Sequence, residues 1–203
     1  MRKTMSLIHL VDDDAAVTDA CHFLLTSLGH DVQCWNDSAD FLARADLFQT
    51  GIVLLDMRMP KLDGHQAYAE LRRRSSTLAV VFLSGHGDVP MAVEQMKYGA
   101  VDFLQKPIAA EPLIAALERA QQVSAKAQQR HETCGRYRTL TPKERDIAQL
   151  VVRGMMNREM AERLNIALRT VEVHRAKVME KMQAASLAEL VIQLQALPPT
   201  PRE

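Results

Sequence analysis

The first 120 residues alternate between two hydrophobic periods. Continuous apolar runs at 7–12 (LIHLVD), 31–35 (DVQCW), 51–56 (GIVLLD), 78–83 (LAVVFL) and 101–104 (VDFL) predict strands. Between them, apolar residues recur at helical spacing over 15–28, 38–47, 64–73, 90–98 and 111–122. Five strands alternating with five helices predict a parallel sheet covered on both faces, an α/β module. Double-sided burial explains why a run such as VVFL shows no polar alternation.

The pattern changes after residue 123. Residues 124–138 (SAKAQQRHETCGRYR) are polar and predict a linker. Helical spacing then resumes with Leu140-Thr141-Pro142-Lys143-Glu144. Thr141 suits an N-cap, Pro142 the first helical position, and Glu144 closes a capping box. This helix buries Ile147, Leu150 and Val151 and ends near Gly154. A second, about 157–164, turns Met160, Ala161 and Leu164 inward, and Asn165 ends it in a left-handed conformation. A third, 168–182, carries the stripe Val171, Val178, Met182. A fourth follows Ser186 and repeats Leu187, Leu190, Val191, Leu194. The expected organisation is an α/β module at 1–123, a linker at 124–138, an all-α module at 139–197 and a flexible tail at 198–203.

Charge follows the same division. The formal net charge is zero, yet residues 1–123 carry 11 Lys and Arg against 16 Asp and Glu, a balance of −5. Residues 124–203 carry 14 against 9, a balance of +5. The basic half suits a phosphate-rich polymer. No apolar run approaches the ~20 residues that span a bilayer. The N-terminus meets acid before any signal-peptide core forms. Cys21, Cys34 and Cys134 are scattered, without CxxC spacing, and fit free thiols in a reducing cytoplasm. His131 and Cys134 are two isolated ligands and fit a solvated linker better than a metal site.

Open α/β sheets bind ligands beyond the carboxyl ends of their strands. Here the first strand ends in Asp12-Asp13, the third in Asp56, the fourth in Ser84, and the fifth runs into Lys106-Pro107. Three converging carboxylates repel unless a cation neutralises them, and a hard divalent ion such as Mg²⁺ prefers oxygen ligands. Lys106 adds a positive charge able to hold a transferred phosphoryl group. Taken singly these residues say little. Asp14 is an expected N-cap, Asp63-Gly64 a loop-to-helix junction, and the GHG at 85–87 lacks the third glycine of a dinucleotide fingerprint. Taken together at successive strand ends, they define an acceptor pocket around Asp56. Phosphatases of the haloacid-dehalogenase type also place a nucleophilic Asp at a strand tip. They need a second carboxylate two residues on. Arg58 stands there, which argues against an enzyme that turns over an external substrate.

The stretches VDDD, LLDMRMPKLDG, LSGHG and GAVDFLQKP resemble the receiver domain of bacterial response regulators, across residues 5–122. The resemblance implies a flavodoxin-like sheet of order 2-1-3-4-5, phosphorylation of Asp56, and an acidic pocket of Asp12 and Asp13. It implies Mg²⁺ held by this pocket, Asp56 and the backbone carbonyl of Arg58, phosphoryl oxygens held by Ser84 and Lys106, and a cis Lys106-Pro107 peptide. Ser84 and Phe103 occupy the switch positions; Phe103 has no hydroxyl, so its contribution is steric. The implied partner is a sensor histidine kinase. Phosphorylation is expected to pair two copies through Val93, Met96 and Lys97.

The stretches LTPKERDIAQLVVRG, NREMAERLNI, RTVEVHRAKVMEKM and SLAELV resemble the LuxR-type DNA-binding domain, and the two halves together resemble the NarL/FixJ family. Residues 168–182 are then the recognition helix of a helix-turn-helix on double-stranded promoter DNA. Arg169, Glu172, Val173 and Ala176 lie opposite the buried stripe and are the candidate base-edge surface, with Glu172 able to accept from a cytosine amino group. Arg158, Thr170, Arg175, Lys177 and Lys181 are candidates for the phosphate backbone. His174 belongs to the family's pattern and fits a packing or phosphate role. Ala167 departs from the usual serine cap, a loss of ~1 kcal/mol. The expectation is a cytoplasmic transcription regulator switched by aspartyl phosphorylation. The alternative is a phosphorylation-independent regulator whose receiver serves as a dimerisation scaffold; the complete acidic pocket and Lys106 weigh against it.

Overall fold

The structure, a computed structural model, describes residues 6–85 and 94–197. The chain divides into two compact units, Met1–Gln128 and Gln129–Glu203. In the first, β1 (Leu7–Val11), β2 (Val32–Trp35), β3 (Gly51–Asp56), β4 (Ala79–Ser84) and β5 (Asp102–Gln105) form one parallel sheet in the order β2-β1-β3-β4-β5. The covering helices include α1 (Ala15–Ser27), α2 (Ser38–Arg44), α3 (Gly64–Arg73) and the start of a longer helix, Ala110–Arg138.

Side chains alternate across a strand, and β3 shows the consequence. Val53 and Leu55 join Trp35, Phe41, Tyr68 and Leu71 in one core layer. Ile52 and Leu54 join Leu25, Leu113 and Leu117 in the other. Asp14 caps α1 by accepting from the backbone of Ala16 and Val17. Asp63 caps α3 in a box with Gln66. The helix expected over 90–98 lies partly outside the described residues; 94–97 are helical.

His9 on β1 is buried against Trp35 and Phe41, accepting at Nδ1 from Trp35 Nε1 at 3.1 Å. Burial lowers its pKa to about 4, against a smaller upward pull from Asp46. A depressed histidine stabilises the fold fully above the unfolded value of ~6.5. Below that the unfolded chain takes up a proton that the folded chain refuses, so stability falls from pH ~6.5 to ~4, by up to about 3 kcal/mol. His9→Gln keeps an acceptor for Trp35 and cannot titrate. Unfolding curves for the two proteins should therefore differ in slope across this window; parallel curves would contradict the burial of a neutral imidazole.

Residues 124–138, expected as a linker, are helical. They continue the helix Ala110–Arg138 without a break. Ser124 and Thr133 are buried within it, so Ser124 belongs to the packing of the first unit and Thr133 to that of the second. Their composition lacks an apolar period because the span between them has no buried residue.

The second unit packs the end of this helix with Pro142–Val152, Asn157–Leu164, Leu168–Met182 and Leu187–Gln195. Ile147, Leu150, Val151, Met160, Val171, Val178, Met182 and Leu190 form its core. Thr141 and Glu144 make the capping box, and Asn165 ends its helix at φ 50°. Ala167 provides no side-chain cap. Leu187 corrects the expected stripe. At the helix N-terminus it is 43% exposed, while Leu190 one turn on is fully buried. No helix among the described residues is long and apolar enough to cross a membrane.

Candidate functional site

Strand register assembles the first site. Val11 pairs with Leu55, so the next residues, Asp12 and Asp56, emerge side by side. Asp56 pairs with Leu83, which sets Ser84 one step beyond, and Ser84 pairs with Gln105, which sets Lys106 one step further. Carboxylate oxygens of Asp12, Asp13 and Asp56 lie within 4.8 Å of one another. Lys106 Nζ bridges two of them, 2.6 Å from Asp12 Oδ2 and 2.8 Å from Asp56 Oδ1. The Arg58 backbone N–H donates to Asp56 Oδ2 at 3.2 Å, and that of Asp14 to Asp12 Oδ1 at 3.0 Å. Asp12 and Asp56 are buried and Asp13 is exposed. Lys106-Pro107 is cis.

Burial raises the Asp56 carboxyl above its ordinary range, with the Asp12 charge adding to the effect and the Lys106 hydrogen bond opposing it. Burial pulls Lys106 down, but its hydrogen bonds to Asp12 and Asp56 prevail and its pKa is raised. The ammonium stays charged and holds the pair together. A hard cation fits the same carboxylates. Three carboxylate oxygens grouped within 4.8 Å are the donors that would hold such an ion. Among the described residues the metal-ligating side chains gathered here are the carboxylates of Asp12, Asp13 and Asp56, and oxygen donors suit a hard divalent cation.

The β3–α3 loop is pinned by contacts that periodicity does not reveal. Ser38 Oγ donates to the Leu62 carbonyl at 2.5 Å, and Lys61 pairs with Asp37 at 3.2 Å. Gly64 lets α3 begin against the Asp56 backbone, since a Cβ there would lie 2.2 Å from the Asp56 carbonyl oxygen. Ser84 is buried, its Oγ 3.5 Å from the Leu104 carbonyl, and Phe103 is half-buried against the layer containing Phe82. Met96 and Lys97 are exposed, and Val93 lies outside the described residues.

In the second unit, Arg158, Arg169, Glu172, Val173, Ala176 and Lys177 are exposed, and Thr170 and His174 are half-buried. Several expected DNA contacts already have protein partners. Arg169 pairs with Glu172 at 3.1 Å, and Arg175 donates to Asn157 Oδ1 at 2.5 Å. Lys181 has a buried partner. Its Nζ lies 2.6 Å from Glu144 Oε2 and 3.4 Å from the Thr139 carbonyl. Glu144 is buried and also accepts from the Thr141 N–H at 2.8 Å. Although burial raises its carboxyl, Lys181 and Thr141 outweigh burial and lower the pKa.

A parallel α/β unit with an acidic cluster and a lysine at its strand ends, followed by a helix-turn-helix unit, defines a two-component response regulator. Residues 8–118 match the response regulator receiver domain, and residues 138–194 match the bacterial regulatory proteins of the luxR family. The chain belongs to the NarL/FixJ family of response regulators, which are DNA-binding transcription regulators. It is 68% identical over 187 residues to the tetrathionate response regulatory protein TtrR of Salmonella typhimurium, covering 92% of this chain and 91% of that protein. It is 41% identical over 192 residues to the transcriptional regulatory protein FixJ of Bradyrhizobium diazoefficiens, covering 93% and 94%. Among solved structures, response regulator StyR aligns over 95% of this chain and 99% of its own, with a TM-score of 0.71 and 36% identity. Full-length FixJ from B. japonicum aligns over 96% and 98%, with a TM-score of 0.55 and 38% identity.

Proposed function

We propose that this regulator is switched by phosphoryl transfer from a sensor kinase phosphohistidine to Asp56. The reading rests on the Lys106 ammonium bridging Asp12 and Asp56 inside a three-carboxylate cluster. Asp12, Asp13, Asp56 and the Arg58 backbone carbonyl would hold Mg²⁺, whose charge screens the phosphoryl oxygens when it is bound. An Asp56 carboxylate oxygen attacks phosphorus. The bond from phosphorus to the histidine nitrogen breaks, and its electron pair stays on the imidazole. Lys106 then turns from the two carboxylates to a phosphoryl oxygen, and Ser84 donates to another. As Ser84 moves inward, Phe103 follows by packing, and the surface carrying Met96 and Lys97 pairs with a second copy. The receiver module is assigned to 1–123, or through Ser124 when burial is counted, and the DNA module to 139–197.

On DNA, Arg169, Glu172, Val173 and Ala176 read base edges, while Arg158, Thr170, Arg175 and Lys177 position the phosphate backbone. Two paired copies engage two half-sites together, which raises affinity without new contacts. The site of action is the cytoplasm. The 68% identity to TtrR supports tetrathionate response as the pathway served.

The experiment is phosphoryl incorporation from acetyl phosphate with Mg²⁺ or with EDTA, followed by sizing and DNA retention. We expect metal-dependent incorporation, a dimer and tighter retention. Equal dimerisation and retention without incorporation would establish the scaffold alternative instead.

A further inference from the structure

The Ser124 hydroxyl ties the helix Ala110–Arg138 to two strands at once. Ser124 is fully buried. Its Oγ accepts from the Gly51 backbone N–H at 2.9 Å and donates to the Thr77 carbonyl at 2.8 Å. Gly51 opens β3, and Thr77 lies two residues before β4. These neighbouring strands are paired along their length and carry Asp56 and Ser84 at their far ends. One serine therefore spans the beginnings of the two strands that end in the acceptor and the switch hydroxyl.

The position along the helix matters equally. Ser124 is its last buried residue in the first unit, and the next buried residue is Thr133, in the second. The eight residues between, about 12 Å of helix, bury no side chain fully. A helical span this short is not stable on its own in water. It persists because both of its ends are held. At the far end Arg136 Nη1 donates to Gln183 Oε1 at 2.9 Å, and Tyr137 packs on the core of the second unit.

We propose that Ser124 is the positioning residue that couples the receiver sheet to the connecting helix, and hence phosphorylation to DNA binding. The coupling rests on the phosphorylation reading above; the clamp itself does not. β3 and β4 are paired along their length, and a rearrangement at Asp56 and Ser84 that slides one strand along the other changes the spacing of Gly51 and Thr77 at their opposite ends. A single hydroxyl bonded to both must follow. The helix that carries it is the covalent route to the second unit.

Ser124→Ala removes both bonds while leaving the methylene in place, so the chain still folds. In the unphosphorylated full-length protein, hydrogen exchange at the Gly51 amide and at residues 125–132 should rise about 5–10-fold, the factor expected for a lost buried hydrogen bond. Phosphoryl incorporation at Asp56 should be unchanged. The gain in DNA affinity on phosphorylation, expected at roughly 5-fold or more in the parent, should fall to near onefold. Leu25→Ala in α1 serves as control: it empties a buried core position of the first unit, lowers stability, and should leave the gain intact. Unchanged exchange in Ser124→Ala overturns the clamp, and a full gain despite faster exchange overturns the coupling. Absence of any gain in the parent would defeat the coupling together with the phosphorylation reading, while the exchange result still decides the clamp.

Discussion

Gly64→Ala should slow phosphorylation of Asp56 by roughly 100-fold and destabilise the receiver, although residue 64 touches neither metal nor phosphate. The added Cβ would stand 2.2 Å from the Asp56 carbonyl oxygen and 3.0 Å from Met57 Cα. Both are backbone atoms, so no rotamer change relieves the clash. Either α3 backs away or the end of β3 bends. The first lengthens the Gly64 N–H to Met57 carbonyl bond, now 3.2 Å, and the second moves the acceptor. Overpacking of this kind costs about 1–3 kcal/mol. A displacement near 1 Å in a reacting group costs on the order of 100-fold in rate. Asp56→Asn provides the zero, since it is close to isosteric and has no carboxylate to phosphorylate. Incorporation from acetyl phosphate, read beside thermal melting, separates the two effects. Parental rates in Gly64→Ala would mean that α3 does not seat against the acceptor, and continued incorporation in Asp56→Asn would move the acceptor elsewhere.

The contrast between the two sites shows which information sequence carries well. The acidic cluster with its lysine was legible because a parallel sheet turns one-dimensional order into geometry. Asp12, Asp56 and Ser84 end buried apolar runs, Lys106 follows the more exposed β5, and strand register then places the four together. The surrounding supports were not legible. Ser38 to Leu62, Lys61 to Asp37 and Ser124 to Gly51 and Thr77 join distant segments through residues that are individually ordinary polar side chains. Ser124 sits in a stretch whose polarity reads as solvated linker, because one buried hydroxyl leaves no hydrophobic period. His9 lies in the apolar run LIHLV, and only its acceptor bond from Trp35 explains how an imidazole is tolerated there. In the DNA-binding unit the helices and caps followed from local signals, whereas the partners of Arg169, Arg175 and Lys181 did not. A basic residue on a recognition helix looks the same in sequence whether it meets a phosphate or a carboxylate. Glu144 carries a partial signal: it closes a capping box, and that position also brings it to Lys181 in the last turn of the helix Leu168–Met182.

Lys181 and Lys177 should therefore respond to substitution in different ways, though both are lysines on one helix. Lys177 is exposed, and no ion pair joins it to an acid among the described residues. Lys177→Ala should weaken binding on all sequences and reduce the steepness of log K against log salt by about 0.9, one phosphate's share. Lys181→Ala removes the cation that neutralises buried Glu144. Its cost to the second unit is about 2 kcal/mol, between the roughly 1 kcal/mol of an exposed pair and the 3–5 kcal/mol of a fully buried one, because the lysine side chain is itself 33% exposed. The helix end then loses its ties to Glu144 and to the Thr139 carbonyl. DNA binding falls with stability while the salt slope stays at the parental value. Adding Glu144→Gln to Lys181→Ala discharges the stranded carboxylate and should return part of the lost melting temperature. Measured side by side, a reduced salt slope in Lys181→Ala with an unaltered melting temperature would restore Lys181 to the phosphate contacts and leave Glu144 without its structural partner.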